Sequence, residues 1–170
     1  MNLQDASAIA QIFGVVAVLA SLIFVGIEIR QNTAITRAQV HQQVSDSFSA
    51  YLETLASHAE VVSSGAGGNA SLRQLTDDEL LRFSFLMAGL FKIWENAFYQ
   101  RRSGFLDERA WQSNVNRMMT WHGLPGVRTW WLVRKDLFAY EFQAFVEAMP
   151  NPTDTRSIST RLREAATPVA

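Results

Sequence analysis

A chain of 170 residues has room for one domain of ordinary size besides a membrane-spanning helix. Its 15 basic and 16 acidic side chains give a net charge of -1, so it lacks the positive excess typical of nucleic-acid-binding proteins, and we expect no nucleic-acid partner. The absence of cysteine from the sequence excludes disulfides, thiolate metal sites and cysteine nucleophiles.

The N-terminal segment of residues 6–27 is uncharged, and only Ser7, Gln11 and Ser21 interrupt its apolar run. As a helix it would extend about 33 Å, enough to cross a hydrocarbon core about 30 Å thick. A cleaved signal peptide is disfavoured because no Lys or Arg precedes the apolar run. In a soluble alternative, the rest of a short chain would have to surround a helix that is apolar on all sides. We predict a transmembrane anchor over residues 1–30, with the lipid bilayer as its partner.

The charges that flank this segment predict its orientation. Asp5 precedes it, whereas Arg30 and Arg37 follow it. Because basic flanks of a membrane span favour the cytoplasmic side, we expect a bacterial inner-membrane protein whose C-terminal domain is cytoplasmic.

Small side chains follow one side of the predicted span. Projected at 100° per residue, five of them lie within about 80° of one another. These residues, the small-residue seam, are Ser7, Ala10, Gly14, Ala17 and Ser21. Small residues let helix backbones approach closely, which favours helix association in lipid, although they are also common in spanning helices generally. The seam therefore predicts a homo-oligomer or docking to another membrane protein.

After the anchor, the spacing of apolar residues predicts a helical bundle of four to five helices over residues 31–150. No Gly or Pro lies in residues 30–62, so we expect the first helix to continue to about residue 62. A break at residues 31–33 is the alternative, because Asn32 and Thr33 are weak helix formers. The Gly- and Ser-rich residues 63–71 predict a mobile loop.

Caps predict the start of the later helices. Thr76 and Glu79 form a capping box, and Asp107 is placed to cap the next helix. Pro125 starts another helix, which continues through, or restarts near, Ala139. Aromatic stripes along these helices are typical of a core. Residues 151–170 are predicted as a flexible C-terminal tail that is solvated and frayed or forms a short helix, with contact to anionic lipid as the alternative.

Polar residues inside the predicted bundle are the candidates for a site. Arg134 lies at helical spacing between Trp131 and Phe138, within an apolar stripe. A buried guanidinium needs an anionic partner or aromatic stacking, so we predict a buried polar network of Glu95 and Arg134, with Glu141 as the alternative partner. The expected role of this network is to specify the fold. The alternative for Glu95 is a solvated helix face, which it shares with Lys92, Tyr99 and Arg102.

The sequence contains no HExxH, Walker A, GxGxxG or GxSxG motif, and we predict no catalytic residue, cofactor or metal. The first functional hypothesis is therefore a membrane-anchored, non-enzymatic interaction module that self-associates. In the second, the bundle binds a small apolar ligand or lipid. In the third, an enzyme, Glu95, Arg134 and His122 would converge in a cleft.

Two segments carry a family resemblance. An apolar helix leads into EIRQNT at residues 28–33, and residues 125–149 contain paired tryptophans and a closing FQAFV. Both resemble segments of a large family of small bacterial single-pass helical membrane proteins. The chain departs from that family at Ala139 and Tyr140, where we expect a turn-forming Ser-Pro. The resemblance implies the same architecture and no particular activity.

Overall fold

The computed structural model describes residues 3–150, 156 and 158–166. Throughout that part of the chain every regular element is helical, which confirms the predicted all-α class. The α-helices are α1 (Leu3–Ser57), α2 (Ala59–Ala66), α3 (Asn69–Leu72), α4 (Asp77–Arg102), α5 (Glu108–His122), α6 (Pro125–Arg134), α7 (Tyr140–Glu147) and α8 (Ile158–Ala165). A 3₁₀ turn, Lys135–Leu137, follows α6, and α8 lies within the predicted tail.

The chain divides into two compact units, Met1–Gln39 and Val40–Ala170. Within the first unit, α1 is unbroken across residues 31–33, so the alternative break is not found. The hydroxyl of Thr33 donates to the carbonyl of Ile29 at 2.8 Å, which satisfies that side chain inside the helix instead of at a cap. The predicted end of the anchor at residue 30 falls inside this unit.

The Gly- and Ser-rich segment does not form the predicted loop. α1 ends at Ser57, and after a turn at His58 the chain continues as α2 and α3 through most of residues 63–71. Gly65 is buried in α2, where an added Cβ would overlap the ring of Phe83. The glycine therefore permits a close approach between helices, a tertiary effect that outweighs its poor helix propensity.

Aromatic side chains fill the core of the second unit. The ring of Phe91 in α4 stacks on Trp131 with centroids 4.9 Å apart and meets Trp94 edge-on at 5.1 Å. Trp131 also stacks on Phe138 at 5.4 Å, and Phe142 of α7 lies edge-on to Trp131. The apolar stripe of α4 is thus the centre onto which α6 and α7 pack.

Both predicted helix caps are present. Thr76 Oγ1 accepts a hydrogen bond from Glu79 N at 3.3 Å, and Glu79 Oε2 accepts one from Thr76 N at 2.8 Å, completing the capping box of α4. Asp107 Oδ1 accepts one from Ala110 N at 2.9 Å and caps α5. These side chains satisfy backbone amides that the first turn of a helix leaves unpaired.

Candidate functional site

The first unit presents an apolar helix surface with no protein covering it. All described side chains of residues 16–30 are exposed, and Leu22, Ile23 and Phe24 are 64 to 65% exposed. Within Val16–Ser57, an 18-residue window with a mean hydropathy of 1.3 is long and apolar enough to span a membrane, and none of it is buried. Transfer of apolar surface out of water is favourable by about 25 cal/mol per Å², so this exposed surface favours an apolar environment.

Three residues of the small-residue seam have described side chains. Gly14, Ala17 and Ser21 are exposed, and among the described residues only the backbone of its own helix and its chain neighbours lie near a Cβ built on Gly14. The hydroxyl of Ser21 donates to the carbonyl of Ala17 at 2.9 Å, so its hydrogen bond is made within the helix. The side chains of Ser7 and Ala10 lie outside the described residues. A shallow concavity of about 280 Å³ on this face is lined by Ala17, Val18, Ser21, Leu22 and Val25.

Glu95 is the most deeply buried carboxylate of the described residues, at 4% exposure. Its Oε1 accepts a hydrogen bond from Ala139 N at 2.8 Å, and its Oε2 pairs with Lys92 on the same helix. Ala139 is the residue before α7, and it has no side-chain oxygen with which to cap that helix. Glu95 of α4 thus accepts a hydrogen bond from a backbone amide at the helix break between α6 and α7.

The predicted contact between Glu95 and Arg134 is not formed in the described part of the chain. Arg134 is half-buried, and its Nε has no hydrogen-bond partner among the described residues. The physical reason is that Ala139 and Lys92 engage both oxygens of Glu95. The alternative partner, Glu141, instead pairs with Arg102 at 2.7 Å.

His122 is buried at the C-terminal end of α5. It is 8% exposed and lies edge-on to Trp131, with ring centroids 6.2 Å apart. The pKa of His122 is lowered to about 4, chiefly by burial and also by the nearby charge of Arg128, while Glu147 opposes the change. Within the described residues, no hydrogen bond, ion pair or ring contact joins His122 to Glu95 or Arg134. The convergent cleft that the enzyme hypothesis requires is therefore not found there.

The low pKa of His122 predicts a loss of stability in mild acid. The unfolded chain takes up a proton near pH 6.5, whereas the folded chain does so only near pH 4. Stability is therefore retained above pH 6.5 and falls as the pH drops toward 4. We expect the free energy of unfolding to decrease by about 2 kcal/mol between pH 7.5 and 5. Denaturant unfolding of the full chain in detergent, followed by tryptophan fluorescence, measures this decrease.

Replacing His122 separates its contribution from other titrating groups. His122→Leu should remove most of the decrease between pH 7.5 and 5, whereas the exposed His41→Leu should leave it unchanged. An equal pH dependence in wild type and His122→Leu would show that another group is responsible.

An apolar groove lies on the second unit, where the end of α1 and α2 face α5. Its volume is about 440 Å³. The apolar residues that line it include Leu52, Leu55, Ala59, Val62, Trp121 and Leu124. Arg156 and Arg161, which follow the bundle, line the same groove. No motif along the chain predicts this groove, because its walls come from segments about 60 residues apart.

Comparison of the chain with protein-family models, with curated proteins and with solved structures finds no match. The resemblance to bacterial single-pass proteins therefore stays a prediction.

Proposed function

We propose that the protein is a membrane-anchored, non-enzymatic helical interaction module. In this proposal the first part of α1 spans the bacterial inner membrane, and the bundle lies in the cytoplasm. The observation that carries it is the continuous exposure of apolar side chains over residues 16–30. Such a surface is stable in lipid and costly in water. Arg30 and Arg37 after the span support the cytoplasmic orientation.

Fractionation of the full-length protein with a C-terminal tag tests the anchor. We expect the protein to remain in membranes after carbonate extraction and the tag to be shielded from protease in spheroplasts. A Leu19→Arg and Ile23→Arg double variant should shift toward the soluble fraction, because each arginine at a helix centre costs about 2.5 to 3.5 kcal/mol on insertion. Release of the wild-type protein by carbonate would overturn the anchor, and cleavage of the tag would overturn the orientation.

Self-association through the small-residue seam is the second part of this proposal. Gly14→Leu should weaken the oligomer about tenfold, because a large side chain prevents two backbones from approaching closely. Gly26→Leu is the matched control: Gly26 also has open space around it, and it lies about 140° from the seam's centre around the helix. Energy transfer between labelled copies in detergent, measured on dilution, gives both dissociation constants.

Equal dissociation constants for Gly14→Leu and wild type would show that the small-residue seam does not mediate self-association. Weakening by Gly26→Leu instead would place the association on the other side of the helix.

A second candidate function is binding of a small apolar ligand or lipid by the bundle. The groove favours it, because 440 Å³ falls within the range of about 300 to 1,000 Å³ that is usual for small-molecule sites. The groove is an apolar cavity of the bundle that supports this function.

A further inference from the structure

A small polar pocket lies in the second unit, between α1 and α5. Its volume is about 130 Å³. This space would hold about four water molecules at about 30 Å³ each, so it admits a ligand or head group of about five non-hydrogen atoms. His41 and Ser45 of α1 and Arg117 of α5 line it and are exposed, so the pocket opens to solvent. Among the described residues, none lines both this pocket and the apolar groove.

Arg117 brings a free positive charge to the pocket. Its guanidinium carbon lies 4.6 Å from the centre of the ring of Phe48, which is buried in α1. This cation–π contact stabilises the position of the guanidinium. Within the described part of the chain, Arg117 forms no hydrogen bond or ion pair. Its N–H groups therefore remain free to donate to an anion.

The hydroxyls of the pocket are also without partners. Ser45 lies on α1 and Ser113 on α5, and neither hydroxyl is hydrogen-bonded to a described residue. No Asp or Glu lines the pocket in residues 3–150, 156 and 158–166. Asp107 interacts electrostatically with His41, but from outside the lining. A guanidinium and two hydroxyls with no carboxylate among them favour an oxyanion over a cation.

Asn114 adds a buried hydrogen-bond acceptor to these donors. It lines the pocket and is 4% exposed, and its Nδ2 donates to the carbonyl of Ala110 at 2.9 Å. Its Oδ1 has no hydrogen-bond partner among the described residues. Because an unpaired buried amide oxygen is unfavourable, the pocket favours an anion that also carries a proton to donate.

We propose that this pocket binds a protonated phosphate group, either as free hydrogen phosphate or as a phosphate monoester. A phosphate group has five non-hydrogen atoms, which matches the volume. Its oxygens accept hydrogen bonds from Arg117, Ser45 and Ser113, and its P–OH group donates to Oδ1 of Asn114. Sulfate has the same shape but no proton near neutral pH, so Asn114 would discriminate against it. This proposal does not depend on the membrane anchor or on the apolar groove.

Isothermal titration calorimetry of the full chain in a neutral maltoside detergent tests the pocket. Sodium phosphate, sodium sulfate and glycerol 3-phosphate are titrated separately at pH 6, where a monoester keeps its proton on about half of the molecules. We expect one saturable phosphate site and about tenfold or more weaker binding of sulfate, which leaves Asn114 unpaired. Tighter binding of glycerol 3-phosphate than of inorganic phosphate would identify a monoester, and the reverse order would identify the free ion.

Two variants test the two kinds of contact. Arg117→Gln should weaken phosphate binding about tenfold, because it removes a charge-assisted donor. Arg109→Gln is the matched control: Arg109 is exposed on the same helix outside the lining, so the same change of net charge should have less than about a twofold effect. Asn114→Leu should weaken phosphate binding and leave sulfate binding unchanged, so that the two anions bind about equally.

Three results would contradict the proposal. Absence of saturable binding up to about 10 mM phosphate would exclude a phosphate site. Equal weakening by Arg117→Gln and Arg109→Gln would show general attraction of anions to a basic surface instead of binding in the pocket. Equal binding of phosphate and sulfate by the wild type would overturn the role of Asn114, and this comparison remains decisive if Asn114→Leu fails to fold.

Discussion

Gly126→Ala should lower the free energy of unfolding of the bundle by about 3 kcal/mol or more. A Cβ at this position would overlap the carbonyl oxygen of Gly65 and lie 2.8 Å from the carbonyl carbon of the same residue. It would also lie 3.1 Å from the carbonyl carbon of Ala66. These are backbone atoms, so no rotamer change can relieve the overlap, and α2 and α6 must move apart.

Thermal unfolding followed by tryptophan fluorescence measures this effect. All five tryptophans lie in residues 94–131, so their emission reports the second unit alone. We expect the unfolding midpoint to fall by about 10 °C or more. Gly67→Ala is the matched control, because the nearest atom to its Cβ is the hydroxyl of Ser71, at 2.9 Å, which can rotate away. Its midpoint should move by a few degrees at most, and an equally small change for Gly126→Ala would contradict the described contact of α2 with α6.

Phe91→Ala should cost about 3 to 5 kcal/mol, the range usual for removing a buried aromatic ring. Phe91 is fully buried, and its ring centroid lies 4.9 Å from that of Trp131, 5.1 Å from that of Trp94 and 5.3 Å from that of Trp130. Its removal leaves a cavity between three tryptophans and removes the surface on which α6 packs against α4.

Phe85→Ala provides the comparison on the same helix. Phe85 is 64% exposed, so its truncation should change the free energy of unfolding by less than about 1 kcal/mol. Near-ultraviolet circular dichroism should lose much of its tryptophan signal in Phe91→Ala and keep it in Phe85→Ala. Similar losses of stability in the two variants would contradict the central position of Phe91.

Local chemistry was sufficient to predict much of the fold. Thr76 and Asp107 cap their helices through amides three residues away, so the short sequence around each cap contains its physical cause. The apolar spacing of α4 likewise predicts the buried face on which Phe91 and Trp94 lie.

Long-range contacts account for what the sequence could not predict. Residues 63–71 have the composition of a loop, but the close approach of Gly65 to Phe83 and Gly126 favours helices there. Glu95 is buried in the bundle, but its partner is the backbone amide of Ala139, which no side-chain pattern identifies. The groove depends on α1, α2 and α5 meeting in space, so its lining residues form no motif along the chain.

The contact between Glu95 and Ala139 also bears on the order in which the chain folds. Residues 127–149 contain neither Gly nor Pro, the residues that most often end a helix. At the break, the amide of Ala139 donates to a carboxylate 44 residues earlier in the chain. We therefore expect the break at Ala139 to reach its final geometry only after α4 is in place. Since α4 is synthesised before α7, Glu95 has already left the ribosome when Ala139 emerges.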